Sequence, residues 1–143
     1  MKITSPAFSN HGMIPKKYTC DGENINPPLN FDDFPEEIKE LALIVDDPDA
    51  PGKTWVHWVL YNMQVILRID ENSIPATQGM NDFGKKNYGG PCPPSGQHRY
   101  YFKLYALDKK LELDEGITKA RLEKAMDGHI LEQAELVGLY SRS

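Results

Sequence analysis

The chain has 143 residues, with 16 Lys and Arg against 21 Asp and Glu and a formal net charge of −5. That acidic balance makes it a poor partner for nucleic acid or an anionic membrane surface. Hydrophobic residues at 40% and charged residues at 26% exclude a disordered chain. The length suits one domain, expected over residues 1–143, large enough to form a core without staples. Eleven Gly and eleven Pro argue for many turns, hence for short strands over a helical bundle.

The start, Met1-Lys2-Ile3-Thr4-Ser5-Pro6, lacks the apolar segment of a signal peptide. No run approaches the roughly 18 apolar residues that a membrane-spanning helix needs. Cys20 and Cys92 form no Cys-x-x-Cys pair and no disulfide framework. The expected state is two buried thiols in a reducing cytoplasm, with a single bridge left open for a hyperthermophilic source.

Residues 1–38 are punctuated by Pro6, Pro15, Pro27, Pro28 and Pro35 and read as edge strands and loops. Leu41 to Val45 is apolar on both faces and predicts a central strand. It runs into the turn Asp46-Asp47-Pro48-Asp49-Ala50-Pro51-Gly52, whose prolines cannot continue a ladder. Trp55 to Tyr61 predicts a second buried strand, rich in aromatic and β-branched residues. Residues 78–97 hold many glycines and prolines and no periodicity, which suggests a functional loop.

A third central strand is expected over Tyr100–Leu107, with His98, Tyr100, Phe102 and Leu104 on one face. Thr118 is positioned to cap a helix through Met126, with Leu122, Ala125 and Met126 as its apolar stripe and Gly128 as its stop. His129 to Glu132 is read as a further helical turn, and Ala134–Tyr140 as a closing strand. The fold class is mainly β, with one or two short helices near the C-terminus.

Three features carry chemistry. The acidic turn Asp46-Asp47-Pro48-Asp49 places three carboxylates in four residues, a repulsion best tolerated where a partner compensates it. His57 is polar inside an otherwise buried strand and needs a partner, for which Asp47 or Asp49 on the neighbouring strand is the candidate. The loop Gly89-Gly90-Pro91-Cys92-Pro93-Pro94-Ser95-Gly96, followed by His98 and Tyr100, offers backbone N–H groups suited to a phosphate or carboxylate. It lacks the Gly-Lys-Ser/Thr ending of a nucleotide-binding loop. Together the three describe a small polar pocket.

These residues bring the chain to a known family. It resembles the phosphatidylethanolamine-binding proteins, in their bacterial and archaeal Raf-kinase-inhibitor-like branch. The resemblance rests on Ser5-Pro6-Ala7-Phe8, Tyr18-Thr19-Cys20-Asp21-Gly22, Asp47-Pro48-Asp49-Ala50-Pro51, Trp55-Val56-His57-Trp58, Asn81-Asp82-Phe83-Gly84, Tyr88-Gly89-Gly90-Pro91-Cys92-Pro93-Pro94 and His98-Arg99-Tyr100. Asn26 and Phe31 depart from residues common in this branch, outside the pocket motifs.

The resemblance implies a β-sandwich with a small anion-binding cavity at one end. The family's pocket residues fall on Asp47, Asp49, Pro51, His57, Gly90, Pro91, His98 and Tyr100. It further implies a non-catalytic protein that takes phosphate or phosphoethanolamine-type head groups, with no cofactor. A homodimer and inhibition of a protease or kinase are additional family expectations. The helix that partly covers the site in eukaryotic relatives has no counterpart after the last strand, which implies a more open pocket. Because Asp47 and Asp49 repel an anion, their expected role is to orient His57 and His98, while Gly90 N–H, the Tyr100 hydroxyl and protonated histidines hold the ligand. The alternative is a hydrolase in the same pocket, using a two-His-one-carboxylate metal or a nucleophilic Ser95 or Cys92.

Overall fold

The computed structural model describes residues 1–142. Nine strands form two sheets. The smaller sheet runs β1 (Lys2–Thr4), β3 (Leu29–Asp32) and β6 (Arg68–Ile69) in the order β1-β3-β6. The larger contains β2 (Gly12–Met13), β4 (Glu40–Asp47), β5 (Trp55–Met63), β7 (Thr77–Gln78), β8 (Gln97–Leu107) and β9 (Ile130–Ser141) in the order β2-β9-β8-β4-β5-β7. One short 3-10 turn (Lys16–Tyr18) and one helix, α1 (Lys119–Met126), complete it.

β4 is buried along its whole length because it lies between two cores. Its odd residues Leu41, Leu43 and Val45 face the smaller sheet, packing with Leu29, Phe31, Phe102 and Leu104. Its even residues Ala42 and Ile44 face α1, packing with Tyr105, Leu107, Leu122 and Met126. A strand covered on both faces is apolar wherever its side chains find no polar partner, here over Leu41–Val45, with the buried carboxylates confined to its two ends. This is why the run read as central from sequence, and β5 and β8 flank it on either side.

α1 starts where the sequence placed it: the Thr118 side chain accepts from Arg121 N. Gly128, at φ +80°, follows its end. The turn expected at His129–Glu132 is not helical. β9 begins at Ile130 and pairs with β8 from Leu107 down to Gln97. Residues 130–132 are exposed, so they show no burial alternation that would have marked them as strand; the ladder to β8 fixes them instead.

The thiols are the larger correction. Cys20 and Cys92 are bridged, with Cα atoms 5.4 Å apart across a sequence separation of 72. Both are half-buried rather than packed away. Spacing alone could not reveal the pair, because the approach of the two loops is a tertiary event. Cys20 N donates to Pro91 O at 3.1 Å and the Tyr88 hydroxyl donates to Tyr18 O at 2.8 Å. The bridge also removes the argument for a reducing compartment that free thiols supplied.

Candidate functional site

At the end of the sandwich where β4 stops and β8 starts lies a cavity of about 300 Å³. Its polar floor is Asp47, His57, His98 and Tyr100; its walls are Ala50, Pro51, Trp55, Phe83, Cys92, Pro93 and Pro94. Strand periodicity positions the β8 pair. His98 and Tyr100 continue the even face that carries Phe102 and Leu104 into the sandwich core.

His57 arrives by a different device. The β4–β5 ladder pairs Val45 with Trp58 and then Asp46 with Val56, so His57 faces no partner. This bulge lets both His57 and Trp58 point toward the sandwich while Val56 points to the helix side. The imidazole meets Tyr100 edge-on at 5.2 Å between ring centroids.

The two histidines are held differently. His98 Nδ1 lies 2.6 Å from Asp47 Oδ2, and Asp47 Oδ1 accepts from Asp49 N at 2.7 Å. Both oxygens of this buried carboxylate are therefore engaged, and Asp47 orients His98. His57 Nδ1 donates to the Gly89 carbonyl at 2.7 Å, not to either aspartate. Burial holds the His57 pKa below the ordinary histidine value, against the opposing pull of the Gly89 carbonyl and the Asp47 charge. A neutral His57 with its proton on Nδ1 presents Nε2 as an acceptor. Burial, and then the charges of Asp47 and Asp49, push the Tyr100 hydroxyl well above the usual phenol range, so it stays protonated.

The remaining expected site residues sit elsewhere. The Asp49 carboxylate faces Arg99, with Oδ1 2.7 Å from Nη2 and Oδ2 2.9 Å from Nε. That guanidinium holds it down to about 2. Pro51 is on the cavity wall, whereas Gly90 and Pro91 line the wall's back and face the Cys20 loop. Gly90 N–H cannot serve an anion as expected, because it already donates to Asn24 Oδ1 at 2.8 Å. Gly89 N–H donates to His57 O at 3.0 Å.

Trp55, Phe83, Pro93 and Pro94 were not singled out as site residues. Phe83 is 42% exposed, yet it is fixed at the mouth. The buried Asn81 side chain accepts from Phe83 N and Lys85 N and donates to Asn87 O. Phe83 then packs edge-on against Trp55 at 5.6 Å and His57 at 5.4 Å. The sequence signal was present in Asn81-Asp82-Phe83-Gly84, but its contact with a strand 26 residues upstream is not readable from spacing.

The family model for phosphatidylethanolamine-binding protein matches residues 4–141. The chain belongs to the phosphatidylethanolamine-binding protein family. A UPF0098 protein from Methanothermobacter thermautotrophicus is 51% identical over 150 residues, covering 99% of each chain. A UPF0098 protein from Chlamydia muridarum is 50% identical over 149 residues, again covering 99% of each. Among solved structures, the homolog CT736 from Chlamydia trachomatis superposes with a TM-score of 0.96 at 48% identity, covering 99% of this chain and 97% of its own. YbcL of E. coli, a new member of the mammalian PEBP family, reaches 0.91 at 28% identity, covering 99% of this chain and 98% of its own. The mostly β architecture with one late helix is the fold of this family.

Proposed function

We propose that this family member is a non-catalytic binding protein whose cavity takes a phosphomonoester head group of the phosphoethanolamine type. The observation that carries this reading is the pairing of His57 and His98. Each imidazole has Nδ1 committed to a protein acceptor, so Nε2 is the nitrogen left for a ligand. His57 supplies an acceptor and Tyr100 a donor, and His98 supplies a second donor where its Nε2 carries a proton. A phosphomonoester monoanion matches that set: its P–OH donates to His57, and its charged oxygens accept from His98 and Tyr100. Trp55, Phe83 and Pro94 leave apolar wall for the organic part of the ester.

This reading revises which residues hold the ligand. Asp47, His57, Pro51, His98 and Tyr100 remain; Asp49, Gly90 and Pro91 act behind them. The hydrolase alternative is weaker on chemistry. Both Asp47 oxygens are taken up by hydrogen bonds, Cys92 is no thiolate while its bridge to Cys20 is closed, and Ser95 is exposed on the outer loop. Homodimerisation and inhibition of a protease or kinase rest on the family resemblance and add nothing to the cavity's chemistry.

Calorimetry with phosphoethanolamine, phosphocholine, inorganic phosphate and ethanolamine tests the reading. Phosphoethanolamine is expected to bind more tightly than inorganic phosphate, with ethanolamine silent. Binding that survives His98→Phe and Tyr100→Phe together would place the ligand elsewhere.

A further inference from the structure

We propose that the Cys20–Cys92 bridge is a thiol–disulfide exchange site for small dithiols, in which Cys92 is the leaving thiolate and becomes a nucleophile on the cavity wall. This holds independently of what the cavity binds. Cys92 lines the cavity, whereas Cys20 sits behind it on the loop that follows the 3-10 turn. Neither sulfur-bearing residue is sealed in the core; both are half-buried. Cys20 is partly exposed on its loop outside the cavity and Cys92 on the cavity wall, which gives a small solute a route to each end of the bridge with the fold intact.

The two sulfurs are not equivalent. Arg142, at the end of β9, places Nη1 3.7 Å from Cys92 Sγ. Its Nη2 is held by Asp21 Oδ1 at 3.0 Å, and the Tyr140 hydroxyl donates to Asp21 Oδ2 at 2.6 Å. The guanidinium is thus held beside one sulfur by Asp21, which the Tyr140 hydroxyl fixes in turn. A cation next to a sulfur lowers the thiol pKa, and the lower-pKa thiol is the better leaving group. The other charged groups around Cys92 are accounted for. Asp21 accepts from the Tyr140 hydroxyl as well as from Arg142 and has Lys16 nearby, so it only partly offsets the guanidinium; on the cavity side Asp47 is bonded to His98, and His57 is kept neutral by burial.

The chemistry balances as follows. One thiolate of the dithiol attacks Cys20 Sγ, and the electron pair of the protein S–S bond passes to Cys92 Sγ, which departs as a thiolate beside Arg142. The second thiol, deprotonated, attacks the dithiol sulfur of the mixed disulfide and expels the Cys20 thiolate. The dithiol ends as a cyclic disulfide, and the bridge as two cysteines that take up its protons. Reclosure needs the reverse exchange with a small disulfide.

Opening the bridge frees one side of the cavity. Among the described residues, Pro93, Pro94, Ser95 and Gly96 make no hydrogen bond, so this wall hangs between Cys92 and the start of β8. Cys92 is its only covalent tie to the Cys20 loop.

The test uses the folded protein without denaturant. Dithiothreitol is expected to open the bridge with a rate far above that of global unfolding. In the reduced protein, brief iodoacetamide labelling with peptide mapping across pH 5.5–9 is expected to modify Cys92 roughly tenfold faster than Cys20 below pH 7.5, since one pKa unit changes the thiolate fraction about tenfold. Arg142→Met should move the Cys92 profile toward that of an ordinary thiol, and Arg142→Lys should restore it. Four results would overturn the assignment: two free thiols in the air-purified protein, reduction that tracks unfolding, equal labelling of the two cysteines, or an Arg142→Met profile identical to wild type.

Discussion

Asp46 and Asp47 are consecutive, both almost fully buried, and face opposite sides of the same strand. Asp47 turns toward the sandwich and holds His98 at 2.6 Å. Asp46 turns toward the helix side, where its Oδ2 receives Lys119 Nζ at 2.8 Å and Lys103 Nζ at 3.1 Å. Period-two alternation has divided an acidic pair into one carboxylate for the cavity and one for the scaffold.

Substitutions should separate the two roles. Asp46→Ala leaves two lysine ammoniums without their shared partner and is expected to cost stability. Breaking a fully buried pair costs about 3–5 kcal/mol. Lys103 and Lys119 side chains are 32% and 20% exposed, which scales the loss down toward about 1–3 kcal/mol. Ligand affinity should be unchanged. Asp47→Asn should do the reverse, with His98 losing its orientation and affinity falling while the urea midpoint moves little. Equal effects of both variants on binding would contradict the division.

The strands were legible because β4 and β5 are covered on both faces, which leaves an apolar signature, while β8 alternates between a buried even face and a more exposed odd face before ending in a buried run. The helix was legible from Thr118 and its stripe. What stayed hidden depended on distance in sequence. The bulge that turns His57 toward the cavity shows only against β4. The partner of His57 is a carbonyl, Gly89, which no side-chain pattern announces. Asp49 looked like a pocket residue in the motif, and Arg99 on β8 claims it. The N–H of Gly90 looked free for an anion, and Asn24, 66 residues earlier, consumes it.

Gly90 itself is needed for close approach rather than for a positive φ. A Cβ there would collide with Asn24 Oδ1 and the Tyr18 carbonyl, and the latter is backbone with little room to give. Gly90→Ala is therefore expected to destabilise by about 1–3 kcal/mol or more, the cost of overpacking. Because that position backs the cavity wall, affinity should drop as well. Thermal melts and calorimetry on the same sample check both. A melt within a degree or two of wild type would show that the two loops part easily.

Removing the bridge is expected to weaken the fold. Closing a loop of 72 residues restricts the unfolded chain by about 4 kcal/mol in the chain-entropy picture, an upper figure. Cys20→Ser with Cys92→Ser should lower stability by about 2–4 kcal/mol. The Cys20 N to Pro91 O and Gly90 N to Asn24 bonds keep the loops in register, so the double variant should still fold. Urea denaturation at pH 7 gives the difference directly.

His57 imposes a pH dependence on stability. Its folded pKa lies below the unfolded value because burial penalises the charged ring. The neutral ring's contribution is fully present above the unfolded pKa, about 6.5. It is lost as pH falls below that value, when the unfolded chain takes up a proton the folded one resists. His57→Phe should flatten the stability curve between pH 6.5 and 5 relative to wild type. A wild-type curve already flat over that range would mean the ring is protonated without penalty.

The same neutral ring predicts how binding responds to pH. If His57 Nε2 is an acceptor, it needs a proton on the ligand, and a phosphomonoester loses its second proton near pH 6. Above that pH two lone pairs face each other. Phosphoethanolamine affinity should therefore fall between pH 5.5 and 8, by about tenfold for the bond lost at roughly 1.4 kcal/mol. A phosphonate analogue keeps its second proton to higher pH, and its affinity should fall later by the same separation if His57 reads that proton. His57→Phe should abolish the ligand-linked part of the profile, and Tyr100→Phe should lower affinity equally at both ends by about 1–3 kcal/mol while leaving the shape intact. An affinity that rises with pH in wild type would mean that the cavity selects the dianion, and that His57 serves only to hold the Gly89 loop.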